Sequence, residues 1–426
     1  MEGVARDNAA GTGRRDGPGP ARPPAPLAGI TVLDFSQFLS GPVAALRLAD
    51  LGARVIKIER PQGGEIGRRL AFADLERDGD TISFHAYNRN KESLAADLKD
   101  GEDLALVRRM VGSADVLIEN FRPGVMRRLG LDYDTVRAIN PRLVYASISG
   151  YGGKGPWAGK PGQDLLAQAL SGLPWLNGTS GDPPVAVGLS IADHLASCQL
   201  AIGVTALLVR REGTGEGGLV ETSLLEGILD LQFELLTAFF SEPGFRVRRG
   251  GVHSASAYLA APYGIYPTAD GYLAIAMNPV PTIGALIGLD ELARFEDAGS
   301  WAGERERIAT LLGQHLATRP TQYWLGLLEP ADIWCAPVLT LEALAQSDGF
   351  ASISMLQDVQ RTSALGEGTV TLTTTRSPLR VDGSMLTEPV AAPHLGEHSV
   401  ALRAEFASGE AAGAIAEPAT PRGSLP

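Results

Sequence analysis

The chain has 426 residues, 44% of them apolar and 20% charged, with 51 Gly, 28 Pro and a formal charge of −12. At about 100–200 residues per domain, this length predicts two or three domains with cores large enough to fold without staples. An acidic chain with 6% aromatics is a poor nucleic-acid binder, and its two cysteines, Cys198 and Cys335, make no disulfide framework.

No CxxC or HExxH pattern offers a metal site. The most apolar uncharged stretch, Leu195–Val209, spans 15 residues, short of the roughly 20 that a membrane helix needs. The N-terminus carries no apolar signal-peptide core. A soluble cytoplasmic enzyme is expected, with neither nucleic acid nor membrane as partner.

Residues 1–26 hold five Gly, five Pro and four Arg with almost no large apolar side chain. Such a segment cannot bury enough surface to offset its ordering entropy, so it reads as a disordered tail, as does 408–426. Between the tails the first half alternates strand-like and helix-like segments. Ile30–Phe35 is a short β-rich run, Gly41–Gly52 has a helical apolar pattern, and Val55–Ile58 reads as a second strand. This βαβ unit implies two parallel strands. A helix over Asp103–Met110, strands over Asp115–Asn120 and Leu143–Ile148, and helices near 164–172 and 190–212 continue the pattern. Strands alternating with helices predict a mostly parallel sheet covered on both faces.

After about residue 225 the rhythm changes. One long helix, Leu224–Phe240, is expected, followed by Tyr263–Pro267 and Tyr272–Ala276 joined through Asp270-Gly271, a hairpin signal. Helical segments near 281–288, 303–318 and 321–328 complete a second, α+β unit. The strand-like Val370–Thr374 lies beyond, and periodicity does not say whether the segment from Val338 onward joins the first unit or the second.

A strand, a helix and an acid at the end of the second strand (Glu59) invite a dinucleotide-binding reading. The loop Ser36–Pro42 holds one glycine where that fingerprint needs three, so nicotinamide and flavin are excluded. From Thr31 to Lys160 there are 19 Lys+Arg against 17 Asp+Glu, a local +2, and the remainder holds 18 against 32, or −14. An anionic ligand is therefore expected in the first half, near Lys57, Arg60, Lys99, Arg127 and Arg128. No Ser-His-Asp or Cys-His arrangement declares itself. Asp193 and His194 are adjacent on a helix start and point about 100° apart, so they do not pair. On the sequence alone, Asp193 and Asp164 read as first-turn charges that suit the helix dipole, Ser190 reads as an N-cap, and Cys335 as a small buried thiol.

Several motifs then stand in order: Val32-Leu-Asp-Phe35 with Gly41-Pro42; Leu51–Arg60; Asn88-Arg-Asn-Lys91 with Asp97-Leu-Lys99; Asp115–Phe121 with Pro123-Gly124; Gly150-Tyr-Gly152 with Gly155-Pro156; Gly162-Gln-Asp-Leu165; and Ile191-Ala-Asp193. Together they make the chain resemble the class III coenzyme A transferases. That group includes formyl-CoA transferase and carnitine CoA-transferase, with α-methylacyl-CoA racemase as a relative. The resemblance is densest over 27–225, weaker to 407 and absent from both tails.

The resemblance implies an α/β fold with a Rossmann-like large domain and a mostly parallel sheet, built from 27–225 and the returning segment 331–407. A smaller α+β domain covers 226–330. It further implies an interlocked homodimer with the active site at the interface. The family's catalytic aspartate falls on Asp193, which replaces the dipole reading of that residue. Asp164, Gln163 and Leu39 are supporting positions. CoA contacts fall on Phe38, Arg60, Ala96, Lys99, Asn120, Phe121 and Arg128. The implied reaction moves CoA from an acyl-CoA to a carboxylic acid through an aspartyl anhydride and an aspartyl-CoA thioester. It needs no metal or other cofactor, CoA being a substrate.

Two departures from the family pattern bear on substrate. The formyl-CoA enzymes carry glutamine where this chain has Leu39, which argues against a formyl/oxalate pair, and their glycine-rich lid is reduced to Gly250-Gly251 followed by His253–Ser256. The racemases place a histidine where this chain has Gln163, whose amide cannot relay a proton. The alternatives to a transferase are a 2-methylacyl-CoA racemase and a non-catalytic CoA-thioester-binding protein. Leu39, Trp175 and the Tyr258–Tyr263 region are expected to wall an apolar acyl pocket. Backbone N–H groups at the helix start of Asp193 are expected to receive the oxyanion.

Overall fold

A computed structural model describes residues 25–70, 75–387 and 389–407. Apart from Ala25 and Pro26, both expected disordered tails lie outside the described residues. The centre is a six-stranded sheet of β1 (Thr31–Asp34), β2 (Arg54–Glu59), β3 (Lys91–Ala95), β4 (Val116–Glu119), β5 (Val144–Ser149) and β6 (Gly218–Ser223). Their order is β3-β2-β1-β4-β5-β6, and every pairing is parallel. The chain runs outward from β1 in one direction, then returns and runs outward in the other, so the topological switch lies between β1 and β4. In such sheets ligands bind beyond the carboxyl ends of the strands at that point.

Side chains alternate across each strand, and here both faces are apolar. Val32, Val55, Val116 and Val144 enter one core, while Leu33, Ile56, Leu117 and Tyr145 enter the other. The first core is roofed by α1 (Ser40–Asp50), α6 (Asp164–Ser171), α7 (Ile191–Thr214) and α8 (Leu224–Leu231). The second is roofed by α3 (Gly101–Ser113), by α5 (Tyr133–Ile139) and by the C-terminal helix Ser399–Glu405. Two short elements sit at the carboxyl edge: α2 (Ile82–Asn88) before β3, and α4 (Val125–Leu129) after β4. Burial on both faces explains why these strands read as continuous apolar runs.

The smaller cluster holds a three-stranded antiparallel sheet of β7 (Gly264–Pro267), β8 (Tyr272–Ile275) and β9 (Cys335–Pro337), with β8 central. Tyr266, Leu273 and Ile275 pack there on α10 (Val280–Ile287), α11 (Arg305–Leu316) and α12 (Thr321–Leu328). The segment after residue 355 returns to the first half. Arg361 donates to Asp78 (2.8 Å) and Asp80 (2.9 Å), His398 Nδ1 accepts from the Ser93 N–H at 3.2 Å, and Arg54 bridges Glu405 at 2.6 Å.

Three sequence expectations are corrected and one strand is added. The expected single helix Leu224–Phe240 is two helices, α8 and α9 (Phe233–Ser241), broken at Gln232. The buried Gln232 amide turns instead to the carbonyls of Ser171 and Ile228, each at 3.3 Å. Helix α7 extends beyond the uncharged stretch to 24 residues, with hydropathy 1.4, which by length and composition alone would suffice to cross a membrane. In the fold, its Ala192, Ala196, Leu200, Val204 and Leu208 are buried in the first core, while Ile202 and Val209 on the opposite face are exposed. Cys335 is half-buried rather than enclosed. Strand β3, which the sequence pattern did not mark, carries Lys91 and Glu92 in ion pairs and buries only Leu94 in the second core.

Helix α1 begins hard against the preceding loop. A Cβ on Gly41 would lie within van der Waals radii of the Ser36 side chain, 2.1 Å from its Cβ. Gly41→Ala must therefore move the loop or the helix, and overpacking of this kind costs about 1–3 kcal/mol. Urea unfolding of that variant is expected to show a lower midpoint at unchanged slope.

Candidate active site

The loop between β1 and α1 rests on a buried set of charges. Asp34 ends β1 and accepts from the Ser36 N–H (2.9 Å), the Ser36 hydroxyl and Lys91 Nζ (2.9 Å). Lys57 donates to the Ser36 carbonyl at 2.9 Å and stands 3.7 Å from Asp34 and 3.8 Å from Glu65. Asp34, Lys57 and Lys91 are all fully buried at their side chains. Burial, reinforced by the neighbouring Lys57 charge, pulls the Lys91 ammonium down to about 8, although Asp34 resists.

From above, Asn120 grips Gln37 by both backbone groups, accepting its N–H at 2.8 Å and donating to its carbonyl at 2.7 Å. Glu65 accepts the Phe38 N–H at 3.1 Å. Phe38 is held in the left-handed region at φ 62°, an uncommon place for a non-glycine residue. These contacts fix where the chain turns into α1. No side chain caps that helix, so its first N–H groups are left for another partner.

That partner is Asp193. It lies in the first turn of α7, half-buried, with the Ser40 N–H and hydroxyl directed at its carboxylate. Asn120 Nδ2 in turn donates to Ser40 Oγ at 3.3 Å. One turn below, the Ser197 hydroxyl lies 2.6 Å from the carbonyls of both Ser40 and Asp193 and ties α7 to α1. Asp164, at the first position of α6, accepts the Asp193 N–H at 3.1 Å with one oxygen and the Gln168 amide at 2.7 Å with the other.

Burial pushes the Asp193 carboxyl up to about 7, helped by the facing Asp164 carboxylate, while Ser40 pulls the other way. The result is a carboxylate poorly solvated, ionised only near neutrality, and open on one side.

The strand-end positions line one edge. Phe38 follows β1, Arg60 follows β2, Ala96 and Lys99 follow β3, and Asn120 and Phe121 follow β4, with Arg128 on α4. These are four adjacent strands. Arg60, Lys99 and Arg128 are exposed and form no ion pair among the described residues, although Arg60 Nε donates to the Gly64 carbonyl at 2.7 Å. Ala96 is buried and Phe121 half-buried. Gln163 precedes α6 and is exposed. No group of three or more His, Cys, Asp or Glu among the described residues could hold a metal ion.

The family profile described as CoA-transferase family III matches residues 27–399. The chain belongs to CoA-transferase family III. It is similar to the acetyl-CoA:oxalate CoA-transferase of Acetobacter aceti, 34% identical over 400 residues that cover 92% of this chain and 98% of that protein. It is also similar to the succinate–glutarate CoA-transferase of Agrobacterium fabrum, 31% identical over 401 residues covering 91% and 97%. Among solved structures, a CAIB/BAIF family protein from Brucella suis superposes with a TM-score of 0.77 at 30% identity, covering 90% of this chain and 100% of that one. The expected enzyme class stands: this is a class III CoA-transferase.

Within that family frame the geometry corrects several expectations. Lys57 is not an anion ligand, because Asp34, Glu65 and the Ser36 carbonyl enclose it. Arg127 pairs with Asp132 at 3.3 Å. Ser190 occupies the N-cap of α7 but makes no side-chain cap bond, since Asp164 caps the helix from α6. For the same reason the Asp193 N–H is not free for an oxyanion; at the start of α1 the Ser40 N–H is directed at the Asp193 carboxylate, Pro42 has no N–H and the Val43 N–H donates to the Leu39 carbonyl at 2.9 Å, which leaves the Gly41 N–H. The Asn120 amide hydrogens are engaged by Gln37 and Ser40.

Leu39, Trp175 and Tyr258 do not share one pocket. Leu39 packs with Val43, Leu46 and Tyr87. Trp175, under the Arg249 guanidinium at 5.4 Å, lines a cavity of about 520 Å³ with Arg248 and Arg305. Tyr258 lines an adjoining cavity of about 540 Å³ that shares Arg248, Arg305 and Glu306 with it. Sequence reasoning missed Ser40, Glu65, Gln168 and Ser197, each of which also bonds or faces a group 19 or more residues away in the chain. Ser40 alone stood inside a motif already singled out.

The raised carboxyl has a sign that can be checked. Folded Asp193 titrates near 7 against 3.8 for the ordinary group, so the native state holds the extra proton between those values and stability falls as pH rises through them. Asp193→Asn removes that cost. It should melt a few degrees above the unsubstituted protein at pH 8, and the gap should close toward pH 4.

Proposed function

We propose that Asp193 is the nucleophile of a CoA transfer between two carboxylic acids, and that Arg60, Lys99 and Arg128 receive the phosphates of CoA. One observation carries this reading: a half-buried carboxylate, facing the uncapped N-terminus of α1, stands by the carboxyl edge of a parallel sheet where three unpaired cations also stand. A carboxylate is a weak nucleophile, but partial desolvation and placement within about 3–3.5 Å of a thioester carbon suffice for attack.

Asp193 Oδ forms a bond to the acyl carbon, the C–S bond breaks, and CoA thiolate leaves a mixed anhydride. The thiolate then attacks the Asp193 carbonyl carbon, releasing the donor acid and leaving an aspartyl-CoA thioester. The acceptor carboxylate attacks that thioester, and the returning thiolate takes the new acyl group, restoring Asp193. The N–H groups at the start of α1 favour negative charge developing beside Asp193. No proton needs to move, and the residues present supply every step.

Residues 27–225 with 331–407 are read as the CoA-binding unit and 226–330 as the smaller domain, in a homodimer that completes the site. A racemase is disfavoured, because Gln163 cannot serve as the second acid/base. Several relatives are named for small dicarboxylic acids: oxalate, glutarate, malate and mesaconate. We take one of the two acids here to be of that class.

Asp193→Ala should abolish turnover and the hydroxylamine-trapped adduct, an Asp193 hydroxamate formed as CoA or the donor acid is expelled, while CoA affinity stays within a few-fold; a persisting adduct would remove Asp193 from the mechanism. The rate of adduct formation should rise with pH through about 7, as the carboxyl ionises. Asp164→Asn, which removes the facing negative charge, should move that limb to lower pH.

In a screen of acetyl-CoA and succinyl-CoA against mono- and dicarboxylates, dicarboxylates should give the highest kcat/KM. A clear preference for monocarboxylates would refute the substrate class but not the nucleophile.

A further inference from the structure

Helix α2 presents one group that the mechanism above leaves unused. Tyr87 is 8% exposed, and its ring packs with Leu39, Val43 and Leu46, on the first turns of α1. It therefore lies against the same helix start whose N–H groups face Asp193. Its hydroxyl reaches the segment after β2. A Cβ on Gly67 would stand 2.7 Å from Tyr87 Oη and 2.8 Å from Glu65 Oε1, so a glycine keeps that cradle open.

Buried phenols normally find a hydrogen-bond partner. The Tyr87 hydroxyl forms none among the described residues. Burial and the nearby carboxylates of Glu65 and Asp193 hold its proton on, well above the usual phenol range. It remains a neutral O–H donor at any pH where Asp193 is ionised.

We propose that Tyr87 is a catalytic hydrogen-bond donor, its Oη–H serving the carbonyl oxygen of the acyl group that Asp193 attacks. The proposal rests on the reading of Asp193 as nucleophile. As the Asp193 oxygen bonds to the acyl carbon, the carbonyl π pair moves onto oxygen, and the phenol stabilises it without giving up its proton. When the C–S bond breaks, the pair returns and the hydrogen bond relaxes. The Gly41 N–H at the start of α1 is the neighbouring backbone donor, the Ser40 N–H being held by Asp193 itself. A neutral donor suits this position, because a cation there would pair with Asp193 and quench it.

Tyr87→Phe tests this, since it removes only an oxygen that no protein group holds. Stopped-flow formation of the hydroxylamine-trapped adduct from acetyl-CoA or succinyl-CoA should slow on the order of 10²-fold. KM for the donor should stay within about threefold, and the melting temperature and the acid limb near pH 7 should be unmoved. An unchanged rate, or a loss confined to KM or to thermal stability, would overturn the role of Tyr87 while leaving Asp193 in place. If the unsubstituted protein forms no Asp193-dependent adduct with either donor, the nucleophile reading itself fails, and this proposal falls with it.

Discussion

The site depends on the buried charges beneath the loop at residues 34–40. Asp34, Lys57, Lys91 and Glu65 are withdrawn from water at a cost that their mutual attraction offsets only where the geometry is good and every remaining polar atom is bonded. Here the remaining valences go to the Ser36 carbonyl, the Pro42 carbonyl, Asn88 and the Phe38 N–H. The cluster is thus a template for one backbone path. It holds Phe38 in a conformation the residue would not choose and delivers Ser40 to the first position of α1 with its N–H aimed outward. Loss of one member would leave an uncompensated buried charge, whereas loss of an exposed pair such as Arg127–Asp132 would cost little.

Two helix starts then meet at one carboxylate. An acid in the first turn of α7 is expected to be stabilised by that helix, and the uncapped start of α1 adds a second field of the same sign. Both would depress the Asp193 pKa, yet burial and Asp164 outweigh them. The balance has chemical meaning. A fully stabilised carboxylate would be inert toward a thioester, and a fully buried one would be protonated. Asp164 also orients its neighbour, because it accepts the Asp193 N–H and is itself fixed by Gln168. That placement depends on the loop before it, where Gly150 and Gly162 approach so closely that a Cβ on either would lie 2.5 Å from the Cα of the other.

Periodicity carried the parts of the fold governed by local burial. Strands β1, β2, β4 and β5, helix α7 and the β7–β8 hairpin lie within a few residues of where their apolar patterns put them. The misses have a common cause. Strand β3 is built on Lys91 and Glu92, whose partners Asp34 and Arg54 lie far away in sequence. The break at Gln232 answers to a carbonyl on α6, and the helix pattern runs through it unmarked. Lys57 looked like a ligand because its sequence neighbours, Ile56 and Ile58, are strand residues near an edge; only the fold reveals the acids that surround it. Asp193 itself was legible by resemblance and by nothing else, since a first-turn aspartate is ordinary. Glu65 and Tyr87 gave no local signal, and Ser40 none beyond its place in the Ser36–Pro42 loop, because their importance arises where α1, α2 and the segment after β2 converge.

The modest +2 over Thr31–Lys160 therefore concealed a division of labour among the cations. Those inside the sheet, Lys57 and Lys91, are matched to acids and hold the loop. Arg68 and Arg361 are matched to Glu59, Asp78 and Asp80 and hold the returning C-terminal segment. Among the cations that form no ion pair in the described residues are Arg60, Lys99 and Arg128, each just beyond a strand end or on the short helix that follows one. Net charge could not have shown this, because pairing, not abundance, decides which cations keep their field for a ligand. The acids that neutralise Lys57 and Lys91 commit those two charges to the loop, so any anion at the sheet's carboxyl edge must be met by exposed cations such as Arg60, Lys99 and Arg128, alongside a carboxylate that burial holds up to about 7.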